Sequence, residues 1–244
     1  WAKGRFRGEQ MLYHSERIYG IDISKYQHVH KRRVYGIDWR NLRITRLGHT
    51  ADRNALGAVD YPVSFVYIKS TEGLTVFNPY YTQDVRAARR YGFPVGAYHF
   101  FSTRPAMSQA DYFLKKSRLR KGDLPPMLDV ELSDRRIAAM GGRDVLFREM
   151  LVWLKEVGRR SGTTPIIYVS QDFVNRYMPF APEELKAYPV WVARYGEYKP
   201  YVHLLYWQLS PDGRVRGIQG DVDIDVFNGS EEQFKRYLRA QTVK

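Results

Sequence analysis

The chain has 244 residues, 44% of them hydrophobic, with a formal charge of +13 and no cysteine. This length suits one large domain, the apolar content excludes general disorder, and no run of eighteen apolar residues is present to cross a membrane. The absence of cysteine excludes disulfides, thiolate metal sites and cysteine nucleophiles, while the basic excess fits either polyanionic surroundings or a solubilising surface.

Residues 1–18 carry charges without a period and read as a basic tail or linker, compatible with membrane-proximal anchoring upstream of residue 1; the domain proper is 19–244. From Tyr19 onward, short apolar segments alternate with amphipathic ones. Candidate strands lie at 20–24, 65–70, 95–101, 127–132, 166–170, 190–194, 204–209 and 222–227, rich in Val, Ile, Tyr and Phe and mostly bounded by turn residues. Helical patterns occupy 79–91, 105–118 and 145–160; the first has Asn78 before it as a cap and Gly92 after it as a stop. Residues 28–63 form a long basic stretch, read as loop around a short helix near 38–46.

Strand–helix–strand repetition implies parallel pairing with right-handed crossovers, and eight strands suggest closure into a barrel with function at the C-terminal strand ends. Between Val192 and Leu204 there is room only for a loop, so the last strands are expected to join by hairpins. The predicted architecture is a single irregular α/β barrel, TIM-like, with eight strands and fewer than eight helices.

The segment Leu124-Pro-Pro-Met-Leu-Asp-Val-Glu-Leu132 carries the strongest chemical signal. Residues two apart in a strand share a face, so Asp129 and Glu131 point one way and Leu128 and Val130 the other. Burial and like charge would raise the pKa of one carboxyl, leaving a proton donor beside an anion, the division of labour that glycoside hydrolysis uses. The competing reading is structural: such acids also cap helices or pair with Arg135 or Arg136. Two further acids add weight, Asp22 between two isoleucines and Asp223 in a run where Asp221, Asp223 and Asp225 share one face. That run lacks the twelve-residue loop of a calcium-binding EF-hand.

On these residues the sequence resembles glycoside hydrolase family 25, the Chalaropsis-type lysozymes. Matching blocks are Gly20-Ile-Asp-Ile-Ser24 with Gln27, Ile37-Asp-Trp39, Phe65-Val-Tyr-Ile-Lys-Ser-Thr-Glu-Gly73 and Gly96-Ala-Tyr-His-Phe100. They continue with 124–131, Ile167-Tyr168, Trp191-Val-Ala-Arg-Tyr195, Trp207-Gln208 and 220–227. The resemblance implies a cell-wall lysozyme, an N-acetylmuramidase cutting β-1,4-linked peptidoglycan glycan strands outside the cytoplasm, as a monomer and without a cofactor or metal. It implies Glu131 as general acid, Asp129 as helper to the substrate's own acetamido group, and Asp22 and Asp223 as the rest of the acidic floor. Tyr67, Lys69, Tyr98, Phe100, Tyr168, Trp191, Arg194, Trp207 and Gln208 are the candidate substrate contacts, with core packing the competing reading for each aromatic. A wall-binding module without activity is the alternative function, and nucleic-acid binding is disfavoured because the strand ends collect carboxylates that repel phosphate. The basic loop 28–36, with its His28-x-His30 pair, reads as a surface loop, and 46–60 as an addition to the family pattern.

Overall fold

The computed structural model describes residues 15–30, 32–49, 58–193 and 202–244. In chain order the strands and helices begin with β1 (Tyr19–Ile23), β2 (Val29–His30), β3 (Arg33–Val34), β4 (Arg43–Arg46) and β5 (Ala58–Pro62). Then follow β6 (Val66–Glu72), β7 (Val76–Phe77), α1 (Tyr81–Arg90), β8 (Val95–Phe100), α2 (Ala106–Ser117), β9 (Met127–Asp129), α3 (Asp134–Ala139) and α4 (Arg143–Ser161). The chain closes with β10 (Ile166–Ser170), α5 (Gln171–Arg176), α6 (Glu183–Lys186), β11 (Val190–Ala193), β12 (Leu204–Arg216), β13 (Val222–Phe227) and α7 (Glu231–Ala240).

Eight strands close a barrel in the order β1, β6, β8, β9, β10, β11, β12, β13, with β13 pairing back onto β1. Every neighbouring pair is parallel except β12–β13 and β13–β1, so β13 alone runs against the rest. The eight barrel strands are those the sequence predicts, but the expected hairpin between Val192 and Leu204 is corrected: β11 and β12 run parallel, and only β12–β13 forms an antiparallel pair of consecutive barrel strands.

Alternation along these strands sorts side chains into two cores. Outward residues such as Ile21, Ile68, Val169 and Ile224 pack beneath the helices, where α4 contributes Leu146, Met150, Trp153, Leu154 and Val157 at helical spacing. Inward residues form an aromatic column of Phe65, Tyr67, Trp191, Tyr206 and Phe227. Two glycines admit it. A Cβ on Gly20 would lie 2.3 Å from the Phe65 ring, and one on Gly96 would lie 2.3 Å from Tyr67.

Several expectations are corrected here. The short helix expected near 38–46 is one 3-10 turn at Trp39–Asn41 followed by strand β4. β4 pairs with β5 and with the far half of β12, so part of the stretch 46–60 is a strand hairpin built onto the barrel wall. The sequence reading also lacked α7, whose Phe234 and Tyr237 pack against Phe227 at the closed end of the barrel. Of the tail 1–18, residues 1–14 lie outside the described residues. Ile18 already belongs to the barrel: it is buried, and its carbonyl accepts a hydrogen bond from the Phe227 N–H at 3.0 Å.

Candidate active site

The open end of the barrel is where the parallel strands finish, and there the acids collect. Asp22 on β1 stands directly opposite Asp223 on β13. Opposed antiparallel residues share a face with Cβ atoms about 5 Å apart. Asp129 ends β9, flanked in register by Phe100 of β8 and Tyr168 of β10. Glu131 follows it, exposed at the mouth, while Asp129 is buried.

The four carboxyls form one electrostatic unit. All four act on the phenol groups of Tyr98 and Tyr168, both buried among them and both held well above the ordinary tyrosine range, chiefly by burial. Burial, then the charges of Glu131 and Asp22, pushes Asp129 well above the usual carboxylate range. Burial also lifts Asp22 to about 7, partly opposed by a hydrogen bond from Gln208. Asp223 rises to about 9, through burial and then the charge of Asp22. Packed carboxyls drawn from water cannot all ionise near neutral pH, so the cluster retains protons.

Neutral donors hold the floor together. Gln208 donates to Asp22 Oδ2 at 3.2 Å and accepts from the Tyr168 hydroxyl at 3.3 Å. Lys69 pairs with Glu72 at 2.7 Å, lies 4.4 Å above the Phe100 ring, and draws the Asp129 pKa down. Tyr98, Tyr168, Gln208, Lys69 and Phe100 therefore border the carboxylates as expected from the sequence.

Other predicted contacts lie elsewhere. Tyr67 and Trp191 face inward but are fully buried one layer below, with the Tyr67 hydroxyl donating to the Pro125 carbonyl at 3.0 Å. They support the floor and present no surface to a ligand. Trp207 lies between the inward residues Tyr206 and Gln208, so its indole points outward into the helix-side core. Arg194 lies outside the described residues. Strand alternation would put Thr71 on the face of Tyr67 and Lys69, but a register shift between Lys69 and Thr71 turns it away, and its hydroxyl meets His99 Nδ1 at 2.7 Å in the outer core.

The sequence reading left two groups unassigned. Asp225 lies below Asp22, opposite Gly20 and Gln208, and is fully buried; burial and the Asp22 charge hold its carboxyl well above the ordinary range. Its place in the alternating run with Asp223 was the available signal. His28, expected on a surface loop, is buried: Nε2 meets Asp84 Oδ2 on α1 at 2.7 Å, Nδ1 meets the Tyr35 carbonyl at 2.9 Å, and the ring stacks on Tyr80. This pair fastens the basic hairpin β2–β3 to the barrel.

An α/β barrel with carboxylates clustered at the mouth where its parallel strands end has the layout of a glycoside hydrolase. The comparisons specify the family. Residues 21–218 match the model of the glycosyl hydrolases family 25, and the chain belongs to that family. It is 33% identical to the Escherichia coli protein YegX over 92% of this chain and 74% of the relative. It is 29% identical to lysozyme M1 of Streptomyces globisporus over 87% of this chain and 68% of that protein. The crystal structure of a bacterial lysozyme from Streptomyces coelicolor superposes with a TM-score of 0.71 at 27% identity, covering 90% of this chain and 96% of that one.

Proposed function

We propose that this glycoside hydrolase is a lysozyme that cuts the β-1,4 bond between N-acetylmuramic acid and N-acetylglucosamine in peptidoglycan. The observation that carries the reading is the convergence of Asp22, Asp129, Glu131 and Asp223 on one barrel mouth in a family 25 chain. In the free site the proton stays on the buried Asp129, held there by burial and by the charges of Glu131 and Asp22. A bound N-acetyl sugar offers its amide N–H to Asp129, which leaves the proton on Glu131, facing the glycosidic oxygen. Glu131 then protonates that oxygen as the C–O bond breaks, and the acetamido oxygen bonds to the anomeric carbon in place of the departing sugar. Asp129 stabilises the positive charge that develops on the acetamido group, and water opens the cyclic intermediate with Glu131 as base. Asp22 and Asp223 hold the floor's geometry and keep its proton count.

Lys69, Tyr98, Phe100, Tyr168 and Gln208 border the sugar ring. Action on wall glycan places the enzyme outside the cytoplasm, at the cell envelope or in the surroundings. The test is to digest purified peptidoglycan, reduce the products and identify the new sugar ends by mass spectrometry. Reduced muramic acid ends are expected. Reduced glucosamine ends would overturn the bond assignment, and an absence of products would favour a wall-binding module without activity.

A further inference from the structure

Beyond the barrel mouth the sheet continues. The far half of β12 runs past β13 and pairs with β4, which pairs with β5, so one wall of the mouth extends outward as a three-stranded annex. The pairing slips between Arg214 and Val215, so burial and contacts, with the register at Gly213, show which way its side chains point; Val215 is buried in the outer core. Gly213 stands opposite Val222, whose side chain belongs to the outer core, and a Cβ on Gly213 would lie 2.2 Å from the outward Ile224. Arg214 and Arg216 therefore stand on the opposite face, the one that carries Asp221 and Asp223. The ion pair between Arg214 and Asp221 follows from that placement.

Arg216 is opposite Arg43 in register, and both reach Asp60, Arg43 at 2.5 Å and Arg216 at 3.9 Å. Val215 and Ile44, on the other face, are buried. The annex is thus apolar behind and cationic in front: three arginines against Asp60 and Asp221, each arginine side chain at least one-third exposed. A wall built only for support would need the buried face. It would not need arginines gathered on the side that continues the catalytic floor.

We propose that Arg43, Arg214 and Arg216 form an anion subsite on the groove wall, which binds a carboxylate of the peptide borne by the substrate glycan. The inference rests on the lysozyme reading above. Guanidinium forks match carboxylates in plane and hold them through paired hydrogen bonds. Arg216 has the weakest existing partner and is the group freest to turn toward a ligand. The site also separates the charges: carboxylates sit on the floor where the neutral sugar backbone lies, and cations on the wall where an acidic substituent would project.

The experiment compares kcat/KM on glycan strands carrying their peptides with the same strands after enzymatic removal of the peptides. Wild-type enzyme is expected to prefer the peptide-bearing strands by about tenfold, through KM, since a charge-assisted hydrogen bond is worth that much or more. Arg216→Gln should shrink the ratio and Arg216→Glu should bring it near one, with melting temperatures recorded to show that both variants fold. Raising the salt concentration should erode the wild-type preference, because an exposed ion contact is screened. An unchanged ratio in Arg216→Glu, or equal wild-type rates on the two substrates, overturns the subsite and leaves the lysozyme reading standing. Cleavage of neither substrate removes both.

Discussion

Replacing Asp22 with asparagine should stabilise the fold while impairing the enzyme. The side-chain amide keeps the shape and can still accept the Gln208 hydrogen bond now made to Asp22 Oδ2. What it removes is the proton balance. Asp22 holds its proton to about 7 in the folded chain against an ordinary value of 3.8. Between those two values the folded chain binds a proton that the unfolded chain has released, so rising pH favours unfolding. The penalty is absent below pH 4, accumulates from there to pH 7, and is constant above. At 1.36 kcal/mol per pH unit, the interval sets a ceiling of about 4 kcal/mol, and the neighbouring carboxyls that take up part of the same proton bring the expected gain to about 2 kcal/mol.

For a domain of this size, that corresponds to a rise in Tm of roughly 4–8 °C. Thermal unfolding followed by circular dichroism at half-unit steps from pH 4 to 8 would measure it. Asp22→Asn and wild type should melt together near pH 4 and separate progressively toward pH 7. A Tm difference that does not change with pH, or an asparagine variant less stable at pH 7, would refute the account of Asp22 as a carboxyl held protonated by burial.

The remaining predictions address the chemistry and the scaffold. Glu131→Gln should reduce wall lysis by about 10²–10⁴-fold, the range of a lost general acid, in a fold no less stable than wild type, since the charge raising the Asp129 pKa is removed; near-normal turnover would sink its assignment. Asp129→Asn should cost about 10²–10³-fold in kcat, and an undiminished rate would remove the acetamido-assisting role. Asp84→Ala leaves His28 buried without its carboxylate and should destabilise the fold by about 3 kcal/mol, read as a drop in urea midpoint; no change would show the pair to be incidental. Gly96→Ala pushes a methyl to within 2.3 Å of the Tyr67 ring and should cost about 1–3 kcal/mol or more. A melting point equal to wild type would mean that the aromatic column yields easily.

The eight strands were legible in the sequence because parallel barrel strands are buried on both faces and so appear as short runs of Val, Ile, Tyr and Phe. The annex was not. β4 buries only Ile44 fully, too little for an apolar period, and its arginines read as loop. The final helix was available in principle: Ser230 and Gln233 form a capping box, a signal that the strand-led reading passed over. Within the site, alternation gives the face of each side chain and nothing of its depth. Tyr67 and Tyr98 both point inward from neighbouring strands, yet one lies beneath the floor and the other borders it. Alternation also fails where the ladder slips, as at Thr71, since a bulge adds a residue that no periodicity announces.

Depth also changes what the Asp-x-Glu pair does. From spacing alone, either acid could have been the one held protonated. The fold buries Asp129 at the end of its strand and leaves Glu131 one step beyond, exposed at the mouth. Burial therefore acts on Asp129, with the Glu131 charge as the second cause and Asp22 as the third. In the proposed mechanism the leaving oxygen meets the exposed partner. The pair works as a donor only if the proton stored on the inner acid passes to the outer one when substrate arrives, and an amide N–H presented to Asp129 is the group that would release it. Sugars lacking the N-acetyl group should therefore bind without being cut. On the proposed mechanism, a requirement for an N-acetylated sugar would follow from the same two-residue spacing that marks the motif in the sequence.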